Sequence, residues 1–103
     1  MNLNRFTEKA QEAVLGAQRL AEEYNHSEIQ PGHLLLALLR QEGGVVPQIA
    51  NYLSVNPDAM AGTLESELRG AAQVYGGSQP GLSRALNNLL RDAEKTAEKM
   101  KDE

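Results

Sequence analysis

The element that decides the fold lies at residues 31–39, which read PGHLLLALL. Pro31 is preset for the first turn of a helix, where its missing N–H is not needed. Five leucines then surround the helix axis: Leu34, Leu35, Leu36, Leu38 and Leu39. A helix that is apolar nearly all round belongs in the centre of a small domain. We therefore predict an all-α domain whose core is built on this helix, which the pair Gly43-Gly44 ends.

The segment before this helix also has helical periodicity. Thr7 is a suitable N-cap, because its hydroxyl can accept a hydrogen bond from a backbone N–H in the first turn. Apolar residues then follow at spacings of three and four, which predicts a helix over about residues 8–24. The stripe is mostly alanine, so this helix can approach its neighbour closely: Ala10, Ala13, Val14, Ala17, Leu20, Ala21 and Tyr24.

Two more helices are predicted between residues 45 and 70. The first is short, begins near Pro47 and carries the apolar residues Ile49, Tyr52 and Leu53. The second begins at Asn56-Pro57-Asp58, a strong start signal. We expect its apolar residues to face inward: Met60, Leu64 and Leu68. No segment of the chain alternates with a period of two, so no sheet is predicted.

A fifth helix is predicted from about Ser83 to Lys101, and it resembles the first. Phe6-Thr7 falls on Leu82-Ser83 when the sequence is shifted by 76 residues. The same shift superimposes identical residues, with Ala17, Ala21 and Glu22 falling on Ala93, Ala97 and Glu98. Such internal similarity indicates a repeated supersecondary unit. We therefore divide the chain into a first four-helix repeat at 1–70, a linker at 71–81 and the first helix of an incomplete second repeat at 82–103.

Composition excludes several classes of protein. A chain of 103 residues is long enough for one core. It has no cysteine, which excludes a disulfide framework and is compatible with the cytoplasmic location that we expect. No apolar run approaches the length of a membrane span, and the first residues do not read as a signal peptide. The net charge is −4 without a basic patch, so we expect neither nucleic acid nor membrane as a partner.

The sequence also lacks the motifs that carry chemistry. A phosphate-binding P-loop needs glycine followed by lysine, and no glycine here precedes a lysine. His26 and His33 are seven residues apart with a turn between them, which does not match a metal-binding motif. We expect a capping or surface role for His26 and a packed position at the helix start for His33. The chain by itself is therefore predicted to have no catalytic residues, no cofactor and no metal.

Three stretches together carry a family resemblance: RFTEKAQEA at residues 5–13, IQPGHLLLALL at 29–39 and QEGG at 41–44. They resemble the N-terminal domain of the Clp unfoldases and are most similar to the ClpB-type disaggregase chaperones. The resemblance implies a helical domain of two tandem four-helix repeats. It implies a mobile module that engages unfolded or aggregated polypeptide for a parent protein, which is a hexamer and whose ATPase modules lie outside this chain. An adaptor-docking domain of a protease-feeding Clp ATPase is the alternative, and a self-associating helical unit without a ligand is a third.

The resemblance also implies a site. It places a shallow apolar groove between the helices at 6–24 and 82–101, with these residues as the substrate-binding set: Thr7, Ala93, Thr96, Ala97, Met100 and, at the rim, Asp102. Thr96 departs from the family, which has an apolar residue there, and Thr7 can equally be a helix cap alone. Gly32 stands where some protease-feeding relatives carry an acidic residue, which argues against cationic or phospho-arginine ligands.

The missing remainder of the second repeat would leave one flank of the fifth helix uncovered. Its apolar side holds six residues: Leu86, Leu89, Leu90, Ala93, Ala97 and Met100. Proteins rarely leave such a face exposed without a partner. We therefore expect a concentration-dependent dimer through residues 82–101, with the fifth helices exchanged between copies.

Overall fold

The computed structural model describes residues 7–71, 73–74 and 79–101, with the side chains of the last range described to residue 100. These residues form five helices and two very short strands. In chain order the elements are α1 (Glu8–Glu23), β1 (Glu28–Ile29), α2 (Pro31–Leu39), α3 (Val45–Tyr52), α4 (Pro57–Arg69), β2 (Gly81–Leu82) and α5 (Arg84–Lys101). The all-α class and the five predicted helices are confirmed.

Local sequence sets the starts of these helices. The Thr7 hydroxyl accepts from the N–H of Ala10 at 3.1 Å, as predicted for a cap of α1. The Asn56 side chain accepts from the N–H groups of Asp58 and Ala59 at 2.9 and 3.2 Å at the start of α4. Both contacts satisfy backbone donors that have no partner inside a helix.

Helix α2 lies between two hydrophobic clusters and is the centre of the domain, as predicted. The first cluster joins α1, β1, α2 and α5: Ala13, Ala17, Ala21, Ile29, Leu34, Leu86 and Leu90. The second joins α1, α2 and α4: Tyr24, Leu36, Leu39 and Ala61. Alanines on α1 bring it close to α2, and a Cβ placed on Gly16 would lie 3.4 Å from the Cβ of Ala37. This close approach is the reason that small residues recur along α1.

Two side chains that were expected in the core are partly exposed instead. Leu35 on α2 is 36% exposed, because the elements around α2 leave that side of the helix open. Met60 on α4 is 42% exposed, whereas Ala61 and Leu64, which follow it, face α2. The all-round apolarity of α2 and the inward-facing residues predicted for α4 placed both side chains in the core, but neither pattern could show where the surrounding elements stop.

The prediction that the chain forms no sheet is wrong. Glu28 pairs with Gly81 and Ile29 with Leu82 in a parallel ladder of two residues per strand. The N–H of Ser83 also donates to the carbonyl of Ile29 at 3.0 Å. A ladder this short leaves no alternation in the sequence, so periodicity cannot reveal it. It ties the start of α5 to the connection between α1 and α2.

The predicted linker at 71–81 is only partly described. Residues 72 and 75–78 lie outside the described part of the chain. At one end, Val74 donates its N–H to the carbonyl of Asn25 at 2.6 Å, and at the other Gly81 belongs to β2. The ends of this segment are therefore hydrogen-bonded to the first half of the chain, while the division into repeats stays a prediction.

Candidate functional site

Helix α5 has an anchored half and an exposed half. Leu86 and Leu90 are buried in the first cluster, and the buried Ser83 hydroxyl accepts from the N–H of Leu86 at 3.0 Å. From Arg91 to Met100, in contrast, no residue is buried. About three turns of helix therefore lie outside the packed body.

Four of the six predicted binding residues lie on this exposed half. Ala93, Thr96 and Ala97 are exposed, and Met100 is 69% exposed. Leu89, which is 46% exposed, continues the same stripe toward the body and was not among the predicted binding residues. The stripe is apolar except for the hydroxyl of Thr96. The fifth predicted residue, Asp102, lies outside the described residues.

Thr7, the remaining predicted binding residue, is exposed at the start of α1. Its cap is matched by that of Ser83, its counterpart under the shift of 76 residues. The carbonyls of Thr7 and Ser83 accept from the N–H groups of Gln11 and Asn87, each at 2.9 Å. The two hydroxyls make equivalent contacts with Ala10 and Leu86. The hydroxyl of Thr7 is therefore already engaged in capping, and its participation in binding stays a prediction.

Replacing Thr7 with alanine is expected to lower the free energy of unfolding by about 1 kcal/mol, because α1 loses its side-chain cap. Thr7→Ser keeps the acceptor oxygen and should retain most of the stability. Chemical denaturation of the three proteins measures both effects. Equal stability of the alanine and serine variants would contradict a capping role.

Helix α3 presents an apolar surface that sequence reasoning did not single out as a site. Only Ala50 of this helix is buried, whereas Val45, Ile49 and Leu53 are each more than half exposed. Tyr52 is 88% exposed. The spacing of four between Val45, Ile49 and Leu53 was visible in the sequence, but it indicated only a shared helix face. The tertiary structure leaves that face outside the core.

A groove of 480 Å³ runs between α1 and α2. Small residues, including Ala13, Gly16 and Ala37, form part of its lining, and the side chains of Arg19 and Arg40 border it. This groove differs from the one predicted between the first and fifth helices, which stays a prediction.

His26 and His33 form a buried pair beside the start of α2. The Nδ1 atom of His26 lies 2.7 Å from Nε2 of His33, and the Gln30 N–H donates to Nδ1 of His33 at 2.8 Å. Because Nδ1 of His33 accepts, the proton of its neutral ring must be on Nε2, which donates to His26. The neutral His33 ring thus joins the residue before α2 to the loop after α1. Burial, followed by the neighbouring His26, lowers the pKa of His33 to about 4.

The packed position of His33 was predicted, but the surface or capping role expected for His26 is wrong. The chain turns at Asn25, whose φ is 59°, and His26 then packs edge-on against the ring of Tyr24 with centroids 5.8 Å apart. Because Nδ1 of His26 accepts from Nε2 of His33, the proton of the His26 ring lies on Nε2. Within the described residues this buried atom has no hydrogen-bond partner.

Charged groups at the ends of α2 and α4 form a small network. The Glu65 carboxylate accepts from Arg40 and, at 2.8 Å, from Arg69, and these two contacts lower its pKa. The Arg69 guanidinium also lies 4.8 Å from the centre of the Tyr24 ring. Because the groups are solvent-exposed, the network orients side chains more than it stabilises the fold.

The described residues contain neither a membrane-spanning helix nor a cluster of metal ligands. No helix among them is both long and apolar enough to cross a bilayer. Likewise, the described part of the chain contains no cluster of three or more side chains suited to hold a metal ion.

The matches to known proteins agree with the fold. The family model of the Clp repeat (R) N-terminal domain matches residues 5–103 of the sequence, which is nearly the whole chain. The chain therefore belongs to this domain family, as its motifs predicted.

Several relatives are each called chaperone protein ClpB. That of Nitratidesulfovibrio vulgaris is 40% identical over 107 aligned residues, which cover 100% of this chain. The Bacillus cereus protein is 38% identical over the same coverage, and that of Meiothermus ruber is 38% identical over 99% of the chain. In each case the chain spans only 12% of the relative's length. The similarity is thus to one N-terminal-type domain of much longer chaperones.

Proposed function

We propose that this chain is the polypeptide-binding module of a ClpB-type protein disaggregase in the cytoplasm. The observation that carries the proposal is the apolar stripe on the exposed half of α5, in which Ala93, Thr96, Ala97 and Met100 are all exposed. Unfolded or aggregated polypeptide contacts this stripe through its own apolar side chains. ATP binding and hydrolysis take place in other modules of a longer, hexameric protein, and this chain itself is not an enzyme.

The chemistry of the stripe suits a binder of varied sequences. Met100 is unbranched and polarizable, so its side chain adapts to partners of different shape. Ala93 and Ala97 are small and leave room beside the helix for larger side chains. The stripe has no deep pocket for an anchor residue, and ordering a flexible polypeptide costs free energy. Binding should therefore be weak and broad in specificity, as a module that releases its substrate requires.

A nuclear magnetic resonance titration with an unfolded apolar protein tests the placement. Backbone shifts are expected at Ala93, Thr96, Ala97 and Met100, with a dissociation constant of about 1 µM or weaker. Met100→Asp should weaken binding because it places a charge in the stripe, and Thr96→Leu should strengthen it by adding apolar area. Arg91→Asp changes a charge on the same helix outside the stripe and is the matched control.

The α3 surface provides the alternative outcome of that titration. Shifts confined to α3 and α4, abolished by Ile49→Asp but not by Met100→Asp, would contradict binding on α5. The exposed apolar residues of α3 would then favour the second candidate function, docking of an adaptor protein.

The kind of adaptor is limited by position 32 at the start of α2. An acidic ligand-binding residue at this position would not fit easily, because a Cβ on Gly32 would lie 3.3 Å from Leu68. An adaptor for this surface would therefore be recognised through apolar contacts.

A further inference from the structure

The exposed half of α5 carries a self-complementary pattern. Leu89, Ala93, Thr96 and Met100 follow one another at spacings of four, three and four, which is the repeat of a helix that packs against another helix. At 100° per residue these four side chains point within about 60° of each other. They lie to one side of Leu86 and Leu90, which face the body of the domain. The stripe can therefore meet a second helix without displacing α5 from its own core.

The order of sizes along the stripe favours an antiparallel partner of the same sequence. When two copies of α5 run in opposite directions with Ala93 opposite Thr96 of the second copy, Met100 falls opposite Leu89 of that copy. By symmetry the same contacts recur at the other end, as in any interface between two identical surfaces. Small residues then meet at the centre, where the backbones approach, and large apolar residues meet at both ends.

The charges beside the stripe match the same alignment. Asp92 and Lys99 lie on the flank of α5 that faces away from the body, and both are exposed. No ion pair of either side chain is found within the described part of the chain. In the antiparallel alignment, Asp92 of each copy lies beside Lys99 of the other. A parallel alignment in register would place the flank of Asp92 and Lys99 of one copy on the opposite side of the contact from that of the other, so neither charge would find its partner. The charges therefore favour the antiparallel alignment.

We propose that two copies of this chain associate through an antiparallel α5–α5 contact with Ala93 and Thr96 at its centre. The contact is weak, because about 16 Å of exposed helix buries far less area than a stable interface needs. It covers the stripe assigned above to polypeptide, so association and polypeptide binding compete. The inference does not depend on that function, because its readout is the mass of the chain alone. Each copy keeps Leu86 and Leu90 in its own core, so no exchange of helices is required.

Sedimentation equilibrium of the full chain from about 10 µM to about 1 mM tests the inference, since association follows mass action. The average mass should rise with concentration. Asp92→Lys alone and Lys99→Asp alone should each weaken association by roughly tenfold, because two attractive contacts per dimer become repulsive. An equimolar mixture of the two variants should associate again, because lysine at 92 then faces aspartate at 99 of the second copy.

Arg91→Asp supplies the matched control, because residue 91 lies opposite the stripe and its charge should not affect the mass. Leu89→Lys with Met100→Lys should abolish association. A monomeric mass of the unaltered chain at all concentrations would overturn the inference. So would variants that do not recover on mixing, which would exclude the antiparallel alignment. A monomer that still binds unfolded protein on α5 would assign the stripe to polypeptide alone.

Discussion

Replacing Leu36 with alanine should lower the free energy of unfolding by about 2–5 kcal/mol, whereas the same change at Leu35 should cost clearly less, about 1–2 kcal/mol. The two leucines are adjacent in the same helix and have the same chemistry. Leu36 is 0% exposed and belongs to the cluster with Tyr24, Leu39 and Ala61, while Leu35 is 36% exposed. Only the buried leucine leaves a cavity when it is shortened.

Urea denaturation of the two variants and the unaltered chain measures the difference. The pair controls for helix propensity, because both changes introduce alanine into α2. Leu38 is partly buried against the first cluster and should give an intermediate loss. Equal losses at positions 35 and 36 would mean that the two faces of α2 are equally packed, contrary to the structure.

The contribution of His33 should lower the free energy of unfolding by about 3 kcal/mol between pH 7 and pH 4, as the ring is forced toward protonation. The pKa of His33 is lowered from 6.5 to about 4 in the folded chain. Between these two values the unfolded chain binds the proton and the folded chain does not, so lowering the pH favours unfolding. Below about pH 4 the folded chain binds the proton as well, and this contribution no longer changes.

The structural reason is the hydrogen bond at Nδ1 of His33. Protonation of this atom would remove the acceptor of the Gln30 N–H at the start of α2. It would also place a charge beside the buried His26. The groups that face the pair include the Tyr24 ring, which contacts His26, and the Arg69 guanidinium, which lies over that ring. Glu28 lines the same small cavity as the two rings, but its carboxylate forms no ion pair with either ring among the described residues. Burial and the neighbouring His26 ring therefore favour the neutral form of His33.

Denaturation of the unaltered chain and of His33→Gln at several pH values tests this prediction. Glutamine does not titrate, so the fall in stability between pH 6.5 and pH 4 should be smaller in the variant even if the variant is less stable throughout. A ring resonance of His33 that titrates near 6.5 in the folded chain would contradict the prediction directly.

Much of the candidate site was predictable because it depends on one helix. The spacing of Leu89, Ala93, Ala97 and Met100 on a single helix follows from the sequence, since helical geometry is regular over so short a distance. The exposure of this half of α5 could only be inferred through the family resemblance. The α3 surface was missed as a site, because Ile49 and Leu53 have the same apolar pattern whether a helix face is covered or open.

The sequence by itself determined the helices, their caps and the central position of α2. These features depend on contacts within a few residues, such as Thr7 with Ala10, or on the composition of one helix. Only the tertiary structure decided that Leu35 is exposed, that His26 is buried and that Ile29 pairs with Leu82. Each of these depends on where segments distant in sequence meet, and the packing of such segments leaves no period in the local sequence.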